Sequence, residues 1–255
     1  MENDVQSQYS TADKLNTRIS LHTKYSLNKQ GFGNWIASQY LIRPGVSVLE
    51  LGCGTGEMWL GKTDLIRRCG RLILSDCSEG MLDSARKTLS GCPEIEFRLI
   101  DIRQIPFPDS SFDAVIANMM LYHVPNPDRG LREVSRVLKP GGRFYCATYG
   151  ENGMMAAVVK MLGLQPCAAQ INTAFTLQNG ELQLKRHFST VERRLYEDEL
   201  AVTDLDDLLD YIRSLSGLSE LQKIPRETLR AALEKHVCGG VLHIPKEYGL
   251  FISEK

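Results

Sequence analysis

The chain predicts an α/β fold, a doubly wound and mostly parallel sheet with helices on both faces. Three observations predict it. Strand-like and helix-like runs alternate at least four times between Val46 and Thr148, the pattern of parallel strands joined by helical crossovers. The first of these strands, Val46-Ser-Val-Leu-Glu-Leu51, runs straight into a turn with glycine at alternate positions, Gly52, Gly54 and Gly56. Glycine tolerates positive φ and lets a ligand approach the backbone. The second strand, Arg71-Leu-Ile-Leu-Ser-Asp76, ends on an acid, about 20 residues past the turn, where such folds place a carboxylate for ribose hydroxyls.

Each element has its own signal. Residues Thr11 to Tyr25 pattern as a helix with Leu15, Ile19 and His22 on one face. A turn-rich link, Ser26 to Gly33, follows, and Asn34 is placed to cap a short helix through Tyr40. Pro44-Gly45 turns the chain into the first strand. After the glycines, Glu57 to Arg68 reads as a helix, with Glu57 in its first turn and Arg67-Arg68 in its last, both suited to the helix dipole. The start of such a helix suits an anion, and Trp59 reads as core. Ser78 caps the next helix. Ile95 to Ile100 and Phe112 to Asn118 have strand character, and Asp128 to Leu138 is amphipathic with Leu131, Val134, Val137 and Leu138 together. Lys139-Pro-Gly-Gly-Arg143 ends it, and Phe144 to Thr148 is another strand. Further on, helices are expected over Glu151–Leu164, from Thr176 through Lys185, over Leu205–Leu215 behind a Thr203 or Asp204 cap, and over Pro225–His236. Phe188 to Leu195 reads as a strand, and Leu242 to Ile244 with Gly249 to Ile252 as a closing hairpin.

Bulk properties bound the function. At 255 residues, 43% hydrophobic and 24% charged, the chain suits one large globular domain with room for a subdomain. A formal net charge of −1 creates no strong field for nucleic acid or an anionic membrane. The basic pairs Arg67-Arg68, Lys185-Arg186 and Arg193-Arg194 are interleaved with acids and read as solvated faces. The first residues show no basic and then apolar leader pattern. The longest apolar-rich stretch, Met154 to Leu164, is broken by Lys160 and falls short of the ~20 residues a bilayer needs. The seven cysteines form no Cys-x-x-Cys pair, so neither a disulfide framework nor a metal site is expected. A cytoplasmic protein with reduced thiols is the expectation, its oligomeric state open.

The glycine turn narrows the ligand. A dinucleotide fingerprint needs a third glycine or alanine where this chain has Glu57, and an acid there repels a pyrophosphate. A ligand carrying a carboxylate and an amine fits better, and S-adenosylmethionine is one. The run Glu50-x-Gly52-x-Gly54-x-Gly56 resembles the first motif of class I S-adenosylmethionine-dependent methyltransferases. Phe107-Pro-Asp-Ser-Ser-Phe-Asp113 and Leu138-Lys-Pro-Gly-Gly142 resemble later signatures of the same family in the same order. From Leu41 to Tyr149 the chain is similar to the ubiquinone/menaquinone-biosynthesis-like (type 11) methyltransferases.

The resemblance implies a seven-stranded Rossmann-like sheet, with residues 1–41 as a helical extension over the active site. It makes 42–150 the cofactor-binding core, and 151–255 a helical lid plus closing strands of the same domain. It implies S-adenosylmethionine as cofactor and S-adenosylhomocysteine as product. The cofactor-binding set is Glu50, Gly52, Cys53, Gly54, Gly56, Asp76, Cys77, Met81, Asp101, Ile102 and Asn118. Asp76 serves the ribose, and Asp101 with Ile102 the adenine. Met81 lies against adenine or simply in the core. Asn118 offers its backbone carbonyl to the methionine amine. Tyr9, His22, Tyr25 and Trp35 of the extension either face the sulfonium and acceptor or pack on the core.

Methyl transfer from a sulfonium asks the protein mainly to position and desolvate, with a proton acceptor where the nucleophile is neutral. His123, just past the fourth strand, is the candidate base, or else a loop-holding residue; Tyr122 is the weaker alternative. The Asn118-Met-Met-Leu121 run lacks the Asn-Pro-Pro-Tyr pattern of enzymes that methylate adenine or glutamine nitrogens. A small-molecule acceptor is therefore the leading expectation, with no nucleic acid and no membrane span. A tRNA or protein methyltransferase and an inactive cofactor-binding scaffold are the alternatives. Whether O, N, C or S is methylated stays open.

Overall fold

The structure is a computed structural model that describes residues 20–165, 167, 171–215 and 219–255. The chain forms two compact units. The larger takes residues 32–149, 173–196 and 249–255; the described residues of the smaller lie within 20–31, 150–172 and 197–248.

The larger unit is built on strands β1 (Val46–Leu51), β2 (Cys69–Asp76), β3 (Ile95–Leu99), β4 (Phe112–Ile116), β5 (Leu138–Tyr149), β6 (Thr190–Tyr196) and β9 (Tyr248–Glu254). Their order in the seven-stranded sheet is β3-β2-β1-β4-β5-β9-β6. The pairs β1–β2, β2–β3, β1–β4 and β4–β5 are all parallel. Strand β9 enters the other way: the Gly141 N–H donates to the Lys255 carbonyl and the Lys255 N–H to the Gly142 carbonyl, so its end meets the start of β5.

Successive strand residues point to opposite faces, and both faces here are covered. Leu49 and Leu51 of β1, Ile73 of β2 and Phe144 and Cys146 of β5 fall in one apolar core. Val48, Leu72, Leu74, Tyr145 and Ala147, the alternate residues, fall in the other. Burial on both sides is why these strands read as nearly continuous apolar runs. The order runs outward from β1 through β2 to β3 and, on its other side, from β4 to β5. The reversal between β1 and β4 is the place where open α/β sheets form a crevice beyond their strand ends.

The smaller unit holds β7 (Glu199–Val202) and β8 (Leu242–Pro245) as an antiparallel pair. Helices Met154–Met161, Leu205–Ser214 and Arg226–Glu234 pack with it around Val158, Leu208, Leu209, Leu233 and Ile244. Asp204 caps the middle helix by accepting the Asp206 N–H at 2.9 Å. Lys246 and Asp198 form a buried ion pair, their side chains 4% and 0% exposed.

Three expectations are corrected. The helix expected over Glu57–Arg68 is broken: a three-residue 3-10 turn, Glu57–Trp59, gives way to Gly61 at φ 73, and an α-helix resumes only at Thr63–Arg68. The hairpin expected from Leu242 onward does not form. β8 pairs with β7, and β9 leaves for the main sheet, because alternation alone does not reveal a strand's partner. The helix ends at Val137, just before the Lys139-Pro-Gly-Gly run, as expected, but the next strand begins at Leu138 rather than Phe144 and takes the run in as an irregularity: Phe112 pairs with Leu138 but Ala114 with Arg143. Among the described residues no helix is long and apolar enough to cross a membrane, and all seven cysteines are free.

Candidate functional site

The glycine turn follows the carboxyl end of β1, beside the reversal of strand order between β1 and β4. Gly52, Gly54 and Gly56 have φ of 72°, 56° and 78°, the left-handed region that a side chain disfavours. Their roles differ. A Cβ on Gly52 would lie 2.9 Å from Met120 Cγ, and one on Gly56 2.9 Å from Leu89 Cδ1 and 3.3 Å from Ala85 Cβ. A Cβ on Gly54 would meet nothing within 4 Å. Two glycines thus let the turn close on its neighbours, and the middle one shows bare backbone to open space. The turn is fastened by the Cys53 N–H to the Ser75 carbonyl at 2.8 Å and the Gly56 N–H to the Cys53 carbonyl at 3.0 Å. The Cys53 side chain turns inward, and burial pushes its thiol pKa up. No long helix starts here, so the anion-binding helix terminus expected after the turn is absent.

Beneath the turn lies Glu50, 2% exposed. Trp59 Nε1 donates to its Oε2 at 2.5 Å, and the Asn118 amide is its second donor. Burial pushes its carboxyl pKa up from 4.5 to about 7. Asn118 in turn donates from Nδ2 to the Tyr40 hydroxyl at 2.6 Å and accepts the Ala147 N–H at 3.3 Å. Among the described residues no cation pairs with Glu50. A buried acid held by neutral donors is costly when ionised, and the arrangement suits a ligand that brings positive charge.

Asp76, at the end of β2, is half-buried. Its Oδ2 accepts the Gly54 N–H and its Oδ1 the Ser78 N–H, both at 3.0 Å. The Cys77 thiol is a third donor to this carboxylate, which with about four acceptor sites keeps capacity for a ligand. Ser78 caps the helix Glu79–Thr88 by accepting the Met81 N–H at 3.4 Å, leaving Met81 half-buried in its first turn and Cys77 exposed beside it. Asp101 is engaged: Arg103 grips its Oδ2 at 2.6 Å through Nη2 and at 3.0 Å through Nε, and this partner holds its pKa below the ordinary value. Ile102 turns its side chain into the core, where a Cβ on Gly130 would come within 3.1 Å of it. Its side chain therefore has little surface to offer outside the core.

Past β4 the chain passes Met119, a non-glycine residue at φ 52°, into the 3-10 turn Leu121–His123. Such a backbone is held only where its surroundings fix it. The His123 ring lies 4.4 Å from Tyr122, whose ring lies 4.5 Å from Tyr149. Burial lowers the His123 pKa, so its imidazole is neutral near pH 7. Among the described residues it has no charged partner.

The extension residues scatter. Tyr9 lies outside the described residues. His22 and Tyr25 belong to the smaller unit: His22 sits edge-on to Tyr211 and Tyr248, and Tyr25 is buried with its hydroxyl on Asp207 at 2.5 Å. Trp35 stacks on Phe32 and leans on Tyr196, at 5.9 and 5.3 Å. Among the described residues no cluster of His, Cys, Asp and Glu is placed to hold a metal ion. Sequence reasoning missed Tyr40, Met120 and the tie from Trp59 to Glu50. The Trp59 indole was legible as core; its N–H, which needs a partner when buried, was the unused signal.

Two outcomes follow for stability. Because the folded chain binds the Glu50 proton more tightly than the unfolded chain does, Glu50 stabilises at low pH, and that contribution is lost as pH rises from 4.5 through about 7. Relative to Glu50→Gln, wild type should lose about 3 kcal/mol across that range; a gap that stays constant in urea titrations at several pH values contradicts the assignment. For the turn, Gly54→Ala should cost ~1–2 kcal/mol from its backbone alone, and Gly56→Ala ~1–3 kcal/mol more from overpacking against Leu89 and Ala85. Equal losses would mean that the packing is not as described.

Comparison with known proteins agrees with this geometry. Residues 49–146 match the family described as "Methyltransferase domain". Over 112 residues the chain is 38% identical to a demethylmenaquinone methyltransferase of Symbiobacterium thermophilum, covering 43% of this chain and 45% of that protein. Over 105 residues it is 35% identical to the ubiquinone/menaquinone biosynthesis C-methyltransferase UbiE of Escherichia coli O1:K1, covering 40% and 42%. The chain thus spans about half the length of the curated relatives it matches. Among solved structures, a Bacillus halodurans C-125 protein described as a candidate methyltransferase superposes with a TM-score of 0.63 at 19% identity, covering 88% of this chain and 98% of that one. That likeness concerns the fold alone. Residues 49–146 are thus similar to a methyltransferase domain, and the chain is similar over part of its length to enzymes named for menaquinone and ubiquinone biosynthesis.

Proposed function

We propose that this chain transfers a methyl group from S-adenosylmethionine to a small-molecule acceptor at the β1–β4 crevice. The observation that carries the reading is the buried acid Glu50, without a cation among the described residues, at the strand end that leads into the glycine turn. A ligand with an ammonium and a sulfonium meets that need; a pyrophosphate does not. When bound, S-adenosylmethionine supplies an electrophilic methyl group.

The chain's own residues then have distinct tasks. Glu50 and the Asn118 carbonyl hold the ammonium end, with Gly52, Cys53, Gly54 and Gly56 giving backbone approach. Asp76 takes the ribose hydroxyls with its spare lone pairs. The Ile102 backbone and Asp101 read the adenine edge, Asp101 sharing its carboxylate with Arg103. Met81 and Cys77 flank the base. His123, neutral and at the carboxyl end of β4, accepts a proton from an acceptor hydroxyl or amine, with Tyr122 bracing its ring.

A net charge of −1 favours a small molecule over tRNA. The relatives named for quinone pathways match only about half of this chain, so their acceptors are a first set to assay rather than an assignment. An inactive scaffold would bind the cofactor yet release no S-adenosylhomocysteine in the presence of any acceptor.

Two variants test the roles. Asp76→Ala would free both the Gly54 and Ser78 amides, whereas Asp76→Asn, whose Nδ2 cannot accept, frees only one of them and is the cleaner probe. Loss of one charge-assisted bond, ~1.5–3 kcal/mol, should weaken cofactor binding about 10- to 100-fold, and unchanged affinity by calorimetry rules out the ribose role. His123→Ala should keep cofactor affinity and lose turnover. In the wild type the acid limb of kcat/KM should lie below the ordinary imidazole value, because burial favours the neutral ring. A variant with full kcat would remove His123 from the chemistry.

A further inference from the structure

We propose that Glu50 carries a proton in the ligand-free chain and surrenders it to solvent when a cationic ligand lies against it, so that cofactor binding and proton release are one event. This rests on the cofactor reading above and adds to it the protonation state of the site.

The surroundings of Glu50 on every side support it. From the segment before β1 comes Tyr40, whose hydroxyl pKa is pushed up by burial and, to a smaller extent, by its nearness to Glu50. From the turn come the Cys53 thiol and the Trp59 indole N–H. From the end of β2 comes Asp76, a second acid whose charge opposes ionisation of the first. From beyond β4 comes the Asn118 amide, and from β5 Tyr145, packed 5.0 Å from the Tyr40 ring. Among the described residues, each of these groups around Glu50 is neutral or acidic. At 2% exposure water does little to stabilise the carboxylate. An ammonium placed against it supplies the missing charge. The O–H bond of the carboxyl breaks, the proton leaves to bulk water, and the carboxylate stays behind as the ammonium's partner. Trp59 and Asn118 donate to either form and so hold the oxygens in place through the change.

The test is a proton count. S-adenosylmethionine is titrated calorimetrically into the full chain at pH 6.0 in buffers of different ionisation enthalpy. At that pH the free ligand's amine, of pKa about 7.8, is already protonated. With Glu50 titrating near pH 7, binding should release about 0.9 proton per cofactor, and affinity should tighten about eightfold from pH 5.5 to 6.5. His123→Ala should release the same number. Glu50→Gln should release none and show a flat affinity over that interval. 5′-Methylthioadenosine, which has the nucleoside but neither cation, should bind without release. Trp59→Phe removes a donor that steadies the carboxylate and should carry the release to higher pH. Heat that is identical in all buffers for a wild type that binds overturns the proposal, as does release that survives in Glu50→Gln. If S-adenosylmethionine does not bind at all, the cofactor reading itself fails and this inference falls with it.

Discussion

A carboxylate shut away from water with no counter-charge sets the terms for the larger unit. Glu50 sits on the same face of β1 as Val48, pointing into a core of Trp59, Tyr145 and Ile116. Apolar burial at that position would be cheaper for folding. The protein instead surrounds the acid with a fixed set of neutral donors, and those donors then fix other parts. Trp59 anchors the short 3-10 turn after the glycines, and Asn118 joins the end of β4 to Tyr40 and to β5. One acid therefore links four segments that meet at the reversal of strand order.

Much of this was legible in the amino-acid sequence because it depends on local rules. Period-two alternation and glycine placement identify β1, the turn and the strand-end acid Asp76 without knowledge of the fold. The failures have physical causes. Gly61 interrupts a helix whose charge pattern was otherwise sound, because a residue at φ 73° cannot continue it. The partner of β8 depends on long-range pairing. Tyr40 lies outside the glycine and acid motifs, and only the folded chain brings its hydroxyl to Asn118. Asp101 reads as a free acid because its partner, Arg103, is two residues away and its fork geometry is set by the turn between them.

The matched stretch and the smaller unit differ in what they contain. Residues 49–146 contain every residue assigned to the cofactor and the candidate base. The buried ion pair of Lys246 and Asp198 and the rings around His22 belong to the other unit. A shared cofactor asks for the same cradle in many enzymes, whereas acceptors differ, so sequence likeness concentrates in the first region.

Asp76 has a consequence of its own. Each of its oxygens already holds a backbone amide, Gly54 on one side and Ser78 on the other. A ribose bound there would share those oxygens with the turn and with the cap of the helix Glu79–Thr88. Ligand occupancy of Asp76 would thereby bear on the local rigidity of two backbone segments. The amide protons of Gly54 and Ser78 become natural reporters of the site, visible in a nuclear magnetic resonance spectrum without any label on the ligand.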